Sequence, residues 1–418
     1  MTAEATRALT ATQLLPRTAF GLMFDRVFGA LFWGKMFAVV AVWTHGIVAA
    51  IVMYDATRSA LMVGLVGVVQ FAPQLILSPA SGKWADAGNP ATQILLGRVF
   101  CVVGSGSIAV WMFIEPGIHG VAIAVPILIG TALVGFGFAV GGPAMQSIVP
   151  NLIRDGELAT AMALNSIPMT VGRIIGPATG AYLAAHVGAA TAFTVSAVLH
   201  LVFALFLVAV RFPAPPDRIP GADYRVRVAV RHVMQDRPLL LALLAVTTVG
   251  IVSDPSITLA PSISDALGGG PSMVGTLSAV FGVGAAVGMA ALALLRGRVA
   301  SAFVSSIGMV ALTLGSIVLA VGMQPWVAFT GFALAGLGFG IAMTGLSTVV
   351  QERAPAELRG RIMALWLVGF LGSRPIAAAV LGGTADLVNV YVAFAVAAAL
   401  SLIVTVLCRP SKLVGTDV

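Results

Sequence analysis

Residues 130–138 read GTALVGFGF and residues 331–339 read GFALAGLGF, 201 positions further on. Carried outward, the same offset matches Val149 to Val350, Met162-Ala163-Leu164 to Met363-Ala364-Leu365, Arg173 to Arg374, Ile175 to Ile376 and Ala178 to Ala379. Glu157-Leu158 and Glu357-Leu358 agree with a slip of one residue. Gly and Ala matches are cheap in a chain this rich in small residues, but Phe, Met and Arg matches in one register are not. Farther out the offset grows to about 211, where Met62-Val63-Gly64 returns as Met273-Val274-Gly275. The chain is read as two copies of one unit, a recurrent plan among membrane transporters.

Composition says what the unit is made of. Of 418 residues, 59% are hydrophobic and 9% charged, where a soluble domain carries about 25% charged residues. A helix crosses the hydrocarbon layer with roughly 20 apolar residues, because its backbone groups must be satisfied internally. Twelve stretches qualify: 31–54, 61–82, 93–114, 121–147, 159–184, 189–211, 239–262, 272–295, 301–322, 326–349, 361–384 and 388–408. The expected fold is an all-α membrane protein of twelve spans arranged as two pseudo-symmetric six-helix bundles. Residues 1–211 form the first half, with 1–30 a cytoplasmic or interfacial N-terminus; 212–238 form a cytoplasmic linker; 239–418 form the second half. Residues 20–31 read as an interfacial helix, with Phe20, Met23, Phe24, Val27, Phe28 and Leu31 on one face and Asp25 and Arg26 opposite. Tyr224 to Met234 reads as a surface helix within the linker.

Lys and Arg in the loops and the adjoining span ends fall on one side: Arg7, Arg17, Arg26, Lys83, Arg98, Arg154, the run from Arg211 to Arg237, Arg296, Arg298, Arg353, Arg359, Arg361, Arg409 and Lys412, against Arg58 alone on the other. The positive-inside rule makes that side, and both termini, cytoplasmic. The net charge of +7 is then a membrane-surface feature, and no nucleic-acid partner is needed to explain it. The N-terminus lacks the short apolar core and small-residue cleavage site of a signal peptide. Cys101 and Cys408, the two cysteines, exclude a disulfide framework and a Cys-based metal site. No Walker-type phosphate loop occurs, so energy is expected from an ion gradient. No catalytic cluster of His, Asp or Glu gathers at one membrane face, so the chain is read as no enzyme, without cofactor or metal. Twenty arginines against three lysines suggest a GC-rich bacterial genome and thus a bacterial plasma (inner) membrane. The expected partners are a small-molecule substrate, protons and membrane lipids, with the chain working as a monomer.

Charged side chains inside spans invite functional readings, because a charge at the bilayer centre costs about 3 kcal/mol or more. Lys35 lies about one turn into span 1 and is read as snorkelling to the interface. Arg173 and Arg374, symmetry mates near the middle of spans 5 and 11, can clamp an anionic group by paired hydrogen bonds. Alternatively, each bonds carbonyls or an Asn or Gln of its own half. His45 and Asp254 fall at similar depth in spans 1 and 7 and suit reversible protonation, with His45 also a candidate to bind the solute; the bland alternatives are a packed His45 and an Asp254 that caps a break at Pro255. Gln70, Gln74, Gln146 and Asn165 can bond a solute or hold helices together. His200 and the methionines read as packing, and Asp386, at the outer end of span 11, as solvated. Gly172, Gly176 and Gly180 recur every four residues to let span 5 approach a neighbour, with Pro177 supplying a bend.

The segment IVPNLIRDGELATAMALNSIPMTVGRIIGPATGAYL (148–183), with Asn165-Ser166 and Arg173 ahead of Gly176-Pro177, resembles the loop into helix 5 of the major facilitator superfamily, closest to its twelve-helix bacterial efflux branch. That branch is the drug:proton antiporter group that includes macrolide and siderophore exporters. QERAPAELRGRIMALW (351–366) resembles its loop into helix 11. The resemblance implies alternating access about a mid-membrane site, a cavity lined by spans 1, 4, 7 and 10, and spans 5 and 11 at the seam. It also implies proton-coupled antiport of a drug, siderophore or lipid-like metabolite. Import or facilitated passage of an organic anion is the alternative, and an integral membrane enzyme or lipid-handling scaffold a remote one. Gly176-Pro177 resembles the antiporter motif. Gly82 and Asp86 keep part of the family's motif between helices 2 and 3, but Ala87, Asn89 and Pro90 stand in its basic positions. Val42 stands where the family often has an acid in helix 1, so proton coupling there is closed to this chain.

Overall fold

The structure, a computed structural model, describes residues 16–115, 121–154, 156–213, 226–294, 299–322, 324–355 and 358–414. Every regular element among them is a helix. The spans are α1 (Phe28–Thr57), α2 (Ala60–Ala87), α3 (Pro90–Ile114), α4 (Ala124–Ser147), α5 (Leu158–His186), α6 (Ala189–Ala209), α7 (Arg237–Ser253, Pro255–Thr258 and Ala260–Ala266), α8 (Pro271–Leu294), α9 (Ser301–Val321), α10 (Pro325–Arg353), α11 (Arg359–Gly372 and Arg374–Leu387) and α12 (Val390–Leu407). Eleven are long and apolar enough to cross a membrane; α5, which carries Asn165, Ser166, Thr170 and Arg173, is not one of the eleven.

The offsets read from the sequence recur in the helix ends. Both ends of α5 and α11 lie 201 residues apart, and the starts of α2 and α8, and of α3 and α9, lie 211 apart. Local chemistry places several of those starts. Ser59, Asn89, Asp236 and Asn389 accept the free N–H groups that open α2, α3, α7 and α12, and Pro90 and Pro238 occupy first-turn positions where no N–H is needed. α7 and α11 break where proline removes a helical donor: Pro255 and Pro261 in α7, Pro375 just after Ser373 in α11.

The interfacial segment is shorter than its apolar periodicity suggests. Its helix runs Ala19–Met23 and stops, because the Asp25 carboxylate turns back to accept the N–H groups of Val27 and Phe28 at 2.9 Å each and so starts α1. Phe28 and Leu31 are consequently buried in α1, while Phe20 and Phe24 remain exposed. In the linker a helix spans Val226–Gln235.

Glycine sets the tightest packing. A Cβ on Gly172, Gly176 or Gly180 would stand 2.6, 2.5 or 2.7 Å from Val39, Trp43 or Ile47. α5 therefore lies almost backbone to backbone on α1, and Thr44 Oγ1 donates to the Gly176 carbonyl at 3.0 Å. The halves meet along two seams, α2 with the second segment of α11 and α5 with α8.

Candidate functional site

Trp43, from the α1 ridge against α5, sits between Arg173 and Arg374, its ring centroid 5.2 and 5.4 Å from the two guanidinium carbons. Each arginine also reaches aromatic rings of the opposite half. Arg173 lies 4.0 Å from the Phe339 ring and 5.2 Å from that of Phe281; Arg374 lies 5.0 Å from Phe71 and 5.6 Å from Phe370 in its own helix. A cation over a desolvated ring gains about 2 kcal/mol, which helps offset burial at this depth. It leaves the donors bare: Nη2 of Arg173 and Nε, Nη1 and Nη2 of Arg374 are buried without a hydrogen-bond partner. Sequence reading paired the two arginines and the structure brings them to one ring. Neither of these donor sets ends on a helix carbonyl or an amide of its own half.

Arg374 lines a pocket between the halves with Trp43, Gln70, Phe71, Asp254 and Thr258, and Pro177 of α5 contributes to its wall. Asp254 sits at the break of α7, where its Oδ2 accepts from the Thr258 hydroxyl at 2.6 Å. The walls come from α1, α2, α5, α7 and α11; α4 contributes nothing to them and α10 reaches only Arg173, through Phe339. Of the spans expected to line the cavity, 1, 4, 7 and 10, this pocket takes residues from 1 and 7.

His45 is not beside Asp254. Trp43, Gly46, Ile47 and Ala50 present the pocket face of α1 at helical spacing, and His45 is turned away from it. Its ring nitrogens meet Ser105 Oγ at 2.9 Å and Thr131 Oγ1 at 3.0 Å inside the first half, edge-on to Phe193. Val42 packs with Cys101 and Val134.

Lys35 does not snorkel. It is 4% exposed and donates to the Asn165 carbonyl at 3.0 Å and to Asn165 Oδ1 at 2.8 Å, because it continues the α1 ridge toward α5. Asn165 in turn donates to Gln146 Oε1 at 2.7 Å. These residues form a separate cluster toward the N-terminal end of α1. Arg98, read with the surface basic residues, is fully buried in α3, 3.4 Å from His200 Nδ1 and over the Phe203 ring. Gly82 and Asp86 fall on the last turns of α2, and their side chains lie outside the described residues.

At the end of the spans where α1 turns into α2 the seam is shut. Arg58 pairs with Asp265 at 2.8 Å, and Tyr54 Oη donates to the same carboxylate at 3.4 Å. Asp386, expected to need only water, instead accepts from Ser59 Oγ at 2.5 Å, Ala60 N at 2.7 Å and Leu61 N at 3.0 Å, so one half caps the first turn of α2 in the other.

Sequence reading missed the rings. Phe71, Phe281 and Phe370 look like ordinary core residues in one dimension; Phe339 stood in the repeat register, and Trp43 is spaced four residues from Val39 and Ile47 against the Gly172-Gly176-Gly180 ridge.

A sequence profile of the transmembrane secretion effector family matches residues 17–418. The enterobactin exporter EntS of Salmonella typhimurium (strain LT2) is 27% identical over 371 residues, covering 85% of each chain. The protein of that name from Shigella flexneri is 26% identical over 367 residues, covering 85% of this chain and 84% of its own. Among solved structures, a D-xylose–proton symporter superposes with a TM-score of 0.74 at 11% identity, covering 91% of this chain and 97% of that one. A bacterial homologue of the human lysosomal transporter Spinster, inward-facing and unoccupied, gives 0.67 at 16% identity, covering 94% and 95%.

Proposed function

The chain belongs to the transmembrane secretion effector family of the major facilitator superfamily, and from that premise we propose that it exports a small amphipathic anion, of the siderophore kind, by rocking its halves about the Arg173–Trp43–Arg374 site. It is a multi-pass membrane transporter and not an enzyme. Its place is the bacterial inner membrane, with both termini cytoplasmic, and it works as a monomer.

One observation carries the substrate reading. Arg374 is 1% exposed and its three guanidinium nitrogens lack acceptors, yet it lines a pocket between the halves. A buried N–H that meets no acceptor costs about 1–3 kcal/mol, and an anionic group offers paired, charge-assisted bonds to that edge. Trp43 and Phe71 supply apolar surface for the rest of an amphipathic molecule. Asp254, the carboxylate of the pocket, is the group assigned to proton binding; His45, held inside the first half, is assigned to packing. The similarity to enterobactin exporters supports outward transport of a siderophore-like compound.

The test is transport by proteoliposomes of a panel of anionic, neutral and cationic aromatics, with and without an imposed pH gradient. The Arg374→Gln protein should move anions on the order of 10–100-fold less well and leave neutral compounds unaffected. Equal transport of anions by both proteins would sink the assignment. Import of an organic anion is the second reading, favoured by the basic pair and by Val42 in place of an acid; direction in inside-out vesicles separates the two.

A further inference from the structure

Asp254 and Arg374 face one pocket from different elements, α7 and α11, and they do so without bonding: Arg374 keeps three bare nitrogens while Asp254 accepts from Thr258. The charged groups that act on Asp254 are Arg374 and Arg173. α1 offers Trp43 there and α2 offers Gln70 and Phe71, all uncharged, and α8 carries no titratable residue along its length. The pocket thus holds one fixed positive charge, Arg374, and one group that can be switched between negative and neutral, Asp254, with a second fixed positive charge, Arg173, acting on Asp254 from beyond the lining. Resting on the reading of Arg374 as an anion site, we infer that proton binding at Asp254 and anion binding at Arg374 reinforce each other, so that this pocket does not exchange an anion for a proton.

The sign follows from charge alone. An ionised Asp254 partly compensates both guanidiniums and repels an incoming anion. Once protonated, it leaves their field for the anion. By reciprocity, a bound anion strengthens proton binding at Asp254 by the same factor. Antiport of the usual kind requires the opposite linkage, in which a proton expels the solute; at Asp254 that arrangement suits a cation. A proton held at Asp254 cancels the charge of a monovalent anion that moves with it, so the doubly loaded site adds no net charge to the crossing.

The experiment uses the purified full-length protein and naphthalene-1-sulfonate, an aromatic anion whose charge does not change between pH 8 and pH 5.5. Binding is measured calorimetrically across that range for the native protein, Asp254→Asn and Arg374→Gln. The native protein should bind more tightly as pH falls, on the order of tenfold, and Asp254→Asn should bind at the acid-limit affinity throughout. Affinity in the native protein that is unchanged or weaker at low pH overturns the inference whether or not the variants fold, and so does a pH dependence that survives in Asp254→Asn. Failure of the underlying reading looks different: no binding at any pH, or Arg374→Gln binding as well as the native protein.

Discussion

A guanidinium buried with idle donors is a poor structural element, and Arg374 is tolerated because its faces, rather than its edges, are satisfied by Trp43, Phe71 and Phe370. Depth in a span was legible from sequence for Lys35, Arg173 and Arg374; the direction each side chain takes was not, because direction depends on which neighbouring helix fills the groove. Lys35 could reach the interface by length alone, but the α1 ridge aims it at Asn165. Glu157 shows the same point outside the membrane. It is 1% exposed and accepts from Arg17 N, Nε and Nη2 and from Arg154 N. The hydrogen bonds from Arg17 hold its carboxyl down to about 2. A depressed carboxylate pKa contributes stability that is complete above the unfolded value of about 4.5 and disappears as pH falls toward 2. Melting temperature should therefore drop with acidification through that window in the native protein. In Glu157→Gln the midpoint should already be lower at neutral pH, with the slope between pH 4.5 and 2 reduced, as thermal unfolding followed by circular dichroism can measure.

Helix identity and sequence order were readable because eleven long apolar runs, a twelfth, more polar helix and one internal register leave few alternatives, and even the 201-residue offset reappears in the ends of α5 and α11. What the periodicity could not show is how one element's end serves another's. Asp386 looked like a solvated residue after a span, yet it caps the opening turn of α2 across the seam. Charge at a helix N-terminus and bonds to its free N–H groups contribute about 0.5–2 kcal/mol, here tied to the closed seam, because any opening that parts α2 from α11 breaks them. Asp386→Ala should thus raise the outward-open population by roughly 2–30-fold. Gly67 gives a reporter: it lines the pocket, and a Cβ there meets nothing within 4 Å, while Cys101 and Cys408 are buried. A cysteine at position 67 should react faster with an impermeant maleimide added outside when Asp386 is replaced by Ala. An unchanged rate would mean that Arg58–Asp265 and the packed seam hold the outer side without help.

Taken whole, the molecule has its seam bonded shut at the Arg58 end of the spans and its site charged, and the two facts together constrain how it can be driven. The aromatic cage could not be read from sequence because its rings come from α1, α2, α8, α10 and α11 and gather only after the halves pack. Once gathered, they bury two arginines and one carboxylate in which a proton and an anion favour one another. Consider right-side-out proteoliposomes loaded with naphthalene-1-sulfonate. A proton that rides with a monovalent anion cancels its charge, so an inside-negative potassium diffusion potential at equal pH should leave efflux by the native protein unchanged, while Asp254→Asn, which moves the anion alone, should release it toward a limiting gradient of about 50-fold per 100 mV. Acidifying only the outside at clamped zero potential sets the two schemes against each other. An anion–proton exchanger would release its anion faster, because each arriving proton displaces it. In this pocket the arriving proton removes the charge on Asp254 and strengthens the hold of Arg374 and Arg173 on the anion, so efflux should slow in the native protein and stay constant in Asp254→Asn. Faster efflux on external acidification, lost in Asp254→Asn, would assign Asp254 to exchange and overturn the sign derived from its neighbours.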